Sequence, residues 1–214
     1  EVIYANYGRK EDFEKLQEMG IKVSGKIVIA RYGGNFRGYK AKFAEAAGAA
    51  GLIIYTDPID SGYFKGLVYP EGPYYSESTI QRGSLLTEDF TGDPLTPYEP
   101  ALPLDSEIKI KRKQPEDAQL HSIPVTPIGY GAAKEILGQM KGDVVPEGWQ
   151  GALPFTYRLQ GGSALKVFLE VNQPREFVRV QNVIGTVKGS IYPDEWIILG
   201  LSLIHISEPT RPDE

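Results

Sequence analysis

Two short apolar runs, Ile27-Val28-Ile29-Ala30 and Leu52-Ile53-Ile54-Tyr55, flank an alanine-rich stretch, Tyr39 to Ala50, that Gly51 closes. Apolar runs bounded by turn residues read as strands buried in a core, and the stretch between them reads as a helix. Strand, helix and strand at this spacing demand a compact sheet with helical cover, which points to a mixed α/β fold. Upstream, Glu1 to Tyr7 is β-prone, Glu11 to Leu16 has a helical pattern closed by Gly20, and Val23 to Lys26 is a tight turn. Gly33 to Gly38 reads as a loop. From Thr56 to about Pro103 the pattern dissolves into Tyr, Gly, Pro and acidic residues, and a loop that long is functional or packed against something else. Order returns as a strand at Ile123 to Ile128 and a helix from Ala132 to Met140, closed by Gly142. Ala164 to Val171 alternates as a half-buried strand does, and Phe177 to Thr186 and Trp196 to Leu199 read as further strands, the last of them buried.

The chain of 214 residues fits one large domain or two small ones. A formal net charge of −5 argues against a broad nucleic-acid footprint. The one basic run, Lys109-Ile110-Lys111-Arg112-Lys113, is flanked by acids and reads as a solvated strand or loop edge. Cysteine is absent, which excludes disulfides, thiolate zinc sites and cysteine nucleophiles together. No apolar run approaches a membrane span and no signal peptide is present. The first residue is Glu1, already leading into a strand, so the sequence is expected to begin inside a longer protein.

Few motifs carry chemistry. The loop Gly33-Gly34-Asn35-Phe36-Arg37-Gly38 lacks the Lys-Ser/Thr of a phosphate loop, and Gly129-Tyr130-Gly131 lacks the third glycine of a dinucleotide fingerprint. His121 adjoins Ser122, but neighbours in an extended segment point to opposite faces, so no catalytic triad follows. Asp57, Asp60, Glu71, Asp93 and Glu99 read as solvated loop charges, with a hard-cation site among them left open. Arg37 follows an aromatic residue, lies between glycines and precedes a helix, where a guanidinium can grip a carboxylate in a bidentate fork. On spacing alone, pairing with a loop acid is the stronger reading.

The ordered blocks Ser24 to Gly33, Phe36-Arg37-Gly38, Ala47-Gly48-Ala49, Tyr55-Thr56-Asp57-Pro58, Gln81-Arg82-Gly83, Gly92 to Pro97, Ser122 to Tyr130 and Asn182 to Thr186 change that balance. Together they resemble the protease-associated domain of glutamate carboxypeptidase II-like proteins, from Glu1 to Gly200. That family contains co-catalytic di-zinc exopeptidases and the catalytically inactive transferrin receptor. The resemblance implies a protease-associated domain over 1–175, with a central sheet or open barrel flanked by helices. It further implies the first strands of an incomplete zinc-peptidase domain over 176–200. By the same resemblance Arg37 is a ligand for the substrate's terminal carboxylate. Ser84 stands where the family has an asparagine, and this shorter donor weakens the case for strict glutamate specificity. Thr96 and Glu99 map to backbone-oxygen ligands of a family calcium site, here incomplete.

In the family, the strand resembling Trp196 to Gly200 runs into Gly-His-Arg-Asp, whose histidine is the first zinc ligand. That motif is absent here, and His205, in an unrelated context, does not take the role. Leu201 to Arg211 instead matches the translated transposon end and adapter of tagmentation libraries, so 201–214 is expected to be non-native. The expected whole is a fragment of a secreted or surface-exposed zinc exopeptidase acting on small peptides, extracellular, periplasmic or at the cell surface. Zinc, and with it calcium, would belong to the parent, a homodimer by resemblance, and the fragment would bind no zinc and hydrolyse nothing. A non-catalytic interaction protein of the transferrin-receptor type is the alternative, and a stand-alone binding module a third. Strands cut off from their sheet partners also predict a poorly soluble product.

Overall fold

The computed structural model describes residues 1–118, 120–173, 178, 181 and 183–199. Its centre is a four-stranded parallel sheet of β1 (Val2–Tyr4), β2 (Ile27–Arg31), β3 (Gly51–Tyr55) and β6 (Val125–Ile128), in that spatial order. Register runs from Val2 to Ile27, from Ile27 to Gly51, and from Leu52 to Val125. Parallel neighbours need crossover connections. α1 (Lys10–Glu18) makes the first and α2 (Arg37–Ala46) the second, while residues 56–124 make the third. α4 (Tyr130–Leu137) follows β6.

The sheet is central because its strands are apolar on both faces. Val28, Ile29, Ala30, Leu52, Ile54 and Tyr55 are all buried. α1 buries Phe13 and Leu16, one turn apart, and begins where Asp12 accepts from the Arg9 amide at 2.9 Å. α2 turns Ala41 and Ala44 inward, and these small side chains let it lie close to β3. The outer edge of β1 is covered rather than exposed: Tyr4 donates its amide to the Leu159 carbonyl, and Gly161 donates to Val2.

The mixed α/β reading with a helix-flanked sheet is what the molecule shows. The boundaries move: α2 starts at Arg37 rather than Tyr39, and α4 runs from Tyr130 to Leu137 rather than from Ala132 to Met140. The long loop holds a short helix, α3 (Pro58–Ser61), and a two-residue hairpin of β4 (Gly92–Asp93) and β5 (Thr96–Pro97). The basic run at 109–113 forms no strand.

Three expected strands need correction. Over Ala164–Val171 the burial does alternate, with Leu165 and Val167 packed on the core, but no ladder forms. Alternation reports which side chains face inward; a strand also needs a neighbour's amides and carbonyls. Among the described residues of 177–186 there is no strand either. Trp196–Leu199, expected as a buried strand, is neither: Trp196 is 76% exposed, Ile197 93% and Leu199 95%. Among the described residues it belongs to neither sheet. Gly200, His205 and the tail 201–214 lie outside the described residues.

Candidate functional site

Arg37 is the first residue of α2, and Phe36 at the N-cap supplies no side-chain hydrogen bond to the helix. The first-turn amides therefore add positive potential beside a guanidinium. That guanidinium is half-buried. Its Nη1 donates to the Ser84 carbonyl at 3.4 Å, the Phe36 ring centre lies 5.4 Å from its carbon, and its buried Nε has no partner among the described residues. Most of its five donors remain available for a planar acceptor.

Two glycines make this arrangement sterically feasible. A Cβ on Gly83 would stand 2.3 Å from the Arg37 Nη1, so the guanidinium rests directly on the 82–84 backbone. A Cβ on Gly38 would stand 2.5 Å from the Leu85 carbonyl and 2.7 Å from Thr87, so the same segment lies flush on the first turn of α2. The segment is anchored at two further points. Tyr32 donates its hydroxyl to the Gln81 carbonyl at 2.9 Å, and the Leu85 carbonyl lies 2.8 Å from the His121 Nε2.

Ser84 is thus beside Arg37, as the sequence suggested, but through its carbonyl. Its hydroxyl is turned back to accept from the Leu86 amide at 3.2 Å. Thr96 and Glu99 come together in the β4–β5 hairpin: the Glu99 amide donates to the Thr96 carbonyl at 3.1 Å, and both carbonyls approach the Gly92 backbone. Thr96 is buried, with its hydroxyl unpartnered among the described residues. No group of three or more His, Cys, Asp or Glu among the described residues could hold a metal ion.

Several polar contacts escaped the sequence reading. His121 and Ser122 both meet Glu45 despite their adjacency: His121 Nδ1 lies 3.3 Å from Oε2, and the Ser122 amide donates to Oε1 at 2.9 Å, with its hydroxyl on the same oxygen. Burial pushes the Glu45 carboxyl up, but the Ser122 and His121 bonds outweigh it and hold the group below its usual range. His121 Nε2 faces a carbonyl, so no serine–histidine relay exists here. Lys40 and Arg31 are buried cations. Arg31 stacks 4.0 Å over the Tyr7 ring, donates to Asn6 Oδ1 at 2.5 Å and lies 3.7 Å from Asp60 Oδ2. Burial raises Asp60, and it lifts the Tyr7 phenol to about 12 while that phenol donates to Asp60 at 2.7 Å. Asp57, expected as a solvated loop charge, is instead fully buried and accepts from four donors. Asp directly before Pro is a helix-start signal, and it caps α3 through the Ile59 amide.

Comparison with known proteins covers the segments that carry Arg37 and Ser84. The PA domain family model matches residues 1–85, a span that contains β1 to β3, Arg37 and Ser84. These residues are a PA domain. Similarity continues past it. Over 94% of this chain, glutamate carboxypeptidase 2 homolog of Caenorhabditis briggsae is 38% identical. Aminopeptidase NAALADL1 of Mus musculus is 36% identical over 93% of the chain, and transferrin receptor protein 2 of Homo sapiens 31% over 94%. The chain spans 27% of the first two relatives and 23% of the third. Arg37 and Ser84 therefore meet inside the PA domain, where α2 and the segment 81–87 close on each other.

Proposed function

We propose that this chain is the substrate-shaping part of a zinc exopeptidase of the glutamate carboxypeptidase or aminopeptidase kind, acting on small peptides. Arg37 is the residue that receives the peptide's terminal carboxylate. The observation that carries this is a guanidinium braced by Gly83 and the Ser84 carbonyl at a helix N-terminus, with its remaining donors uncommitted. A fixed fork of donors matches a carboxylate, and little side-chain entropy is left to lose on binding. Ser84 supports the site through its backbone, so its contribution to specificity is the shape of the 82–86 turn.

The described residues supply no side-chain metal cluster, and the zinc of this reading belongs to the longer protein, as do its homodimer and its extracellular or cell-surface location. No helix among the described residues is long and apolar enough to cross a membrane. In the same reading, 1–175 is the PA unit, 176–200 leads into the peptidase domain and 201–214 is foreign to both. Thr96 and Glu99 contribute two backbone oxygens to a calcium site, fewer than the six to eight such an ion takes.

In the complete peptidase, Arg37→Ala is expected to raise KM for a peptide with a free terminal carboxylate by roughly 10²-fold, with Arg37→Lys between. An unchanged KM in Arg37→Ala would overturn the assignment. Similarity to transferrin receptor protein 2 supports a non-catalytic second reading. Absence of any peptide hydrolysis by the zinc-supplemented complete protein would favour it.

A further inference from the structure

We propose that Lys40 is a positioning residue for Arg37: its buried ammonium ties the loop entering α2 to the segment after β1, and so fixes where the guanidinium is presented. This rests on the reading of Arg37 as a substrate ligand.

Lys40 lies almost one turn along α2 from Arg37 and is fully buried. Its Nζ donates to the Tyr7 carbonyl at 2.5 Å, the Gly33 carbonyl at 2.7 Å and Asn35 Oδ1 at 2.6 Å. Tyr7 follows β1. Gly33 and Asn35 belong to the β2–α2 loop, and Asn35 is two residues from Arg37. An ammonium carries three donors, and here three oxygens from two chain segments meet them. The loop is otherwise held at its far end from Arg37, where the Tyr32 amide donates to the Tyr55 carbonyl at 2.7 Å and its hydroxyl to the Gln81 carbonyl. Nearer Arg37, the Asn35 Nδ2 donates to the Gly8 carbonyl at 3.5 Å, and the exposed Phe36 makes no side-chain cap.

Burying a cation is costly, and an apolar side chain of similar length would fill the same space without that cost. What the ammonium adds is a fixed geometry for the residues leading to Arg37. The charged groups around it are mixed in sign: Asp12 from α1, Asp60 from α3, Arg9 ahead of α1 and Arg31 from β2. The Tyr7 ring centre lies 5.9 Å away. Burial draws Lys40 down to about 7, with Asp12 and Asp60 opposing and Arg9 and Arg31 reinforcing. The neutral amine has two hydrogens and a lone pair, so one of the three oxygens loses its donor as pH rises through neutrality. The clamp is complete on the acid side and incomplete on the basic side.

The test follows the Gly34, Asn35 and Phe36 amides and the Arg37 Nε of the isotope-labelled chain by NMR through neutral pH, with no substrate added. These signals are expected to titrate together with a midpoint near 7. Lys40→Met should abolish the midpoint and displace the Arg37 signals. Lys40→Arg, cationic throughout, should abolish the midpoint yet keep the low-pH positions. Should the Lys40 variants fail to fold, Asn35→Ala removes the acceptor nearest Arg37 and should shift the Arg37 Nε while Lys40 stays buried. Absence of a common titration, or an Arg37 Nε unmoved by Lys40→Met or by Asn35→Ala, overturns the proposal. Because no substrate is involved, such a failure leaves the ligand reading of Arg37 intact. Conversely, an unchanged KM in Arg37→Ala would remove the ligand reading while the loop clamp stood.

Discussion

Asp57 shows how one residue joins distant parts of the chain. Its Oδ1 accepts from the Ile59 amide at 3.0 Å and the Ala152 amide at 2.8 Å, and its Oδ2 accepts from the Tyr55 hydroxyl at 2.9 Å and from the Tyr157 hydroxyl. Burial pushes both phenols well above their ordinary range, so they remain donors. Asp57→Ala strands two buried phenols and two part-buried amides together, and a loss of about 3 kcal/mol in urea unfolding is expected. Asp57→Asn should recover little, because its amide nitrogen would face donors. A loss below about 1 kcal/mol in the alanine variant would show that water replaces the carboxylate. Lys40 gives a pH-dependent counterpart. Its folded pKa of about 7 lies below the ordinary lysine value of 10.5, so between those limits the unfolded chain holds the extra proton. Stability from this group therefore rises with pH across that window. The advantage of the parent chain over Lys40→Met should grow correspondingly; a difference that is flat or shrinking with pH would contradict the burial argument. Global stability and loop order then move in opposite directions, since losing the buried charge also loses one loop contact.

At the scale of elements, α2 and the segment 81–87 form one unit, and Gly38 decides whether they can. Helix propensity alone would make Gly38→Ala stabilising by about 1 kcal/mol. The Cβ would meet the backbone carbonyl of Leu85 at 2.5 Å, however, and backbone cannot yield as a side chain tip can. The expected outcome is a net loss of about 1–3 kcal/mol and faster tryptic cleavage after the exposed Arg82, as the segment lifts from α2. A more stable, equally resistant variant would show that the segment is not seated there. These elements also mark how far the sequence could be read. β2, α2 and β3 were legible because apolar runs and an alanine face report burial directly. The Phe-Arg-Gly and Gln-Arg-Gly blocks pointed to a shared site through resemblance, but not to the reason both glycines are needed. That reason lies in the approach of segments about 45 residues apart, which no local pattern encodes. Lys40 gave no signal at all, since a lysine in a helix ordinarily faces solvent. His121 and Ser122 were placed on opposite faces by an extended-strand argument, yet they lie in irregular backbone ahead of β6 and both reach Glu45.

For the whole molecule, the contrast is between a sheet-centred core that closes on itself and a stretch beyond it that does not. The sheet's first edge is covered by 159–161, and Leu165 and Val167 finish the core. Past them, Val183, Ile184, Val187, Ile191, Trp196 and Ile197 to Leu199 are all largely exposed. Isolated exposed apolar residues are ordinary, but a run of this density within 17 residues is a surface that associates. The apolar, β-branched character of 183–199 also makes the stretch competent to pair with a second chain. The net charge of −5 gives the molecule as a whole only modest repulsion against such pairing. Size-exclusion chromatography with light scattering should therefore find the 214-residue chain in concentration-dependent oligomers, relieved when the sequence is ended after Gln173. Replacing Val187 and Ile197 with lysine in the intact chain should give the same relief without truncation, by charging the pairing surface. A monodisperse parent chain that melts cooperatively as a monomer would count against this, since it would mean that the exposed run finds cover within its own molecule.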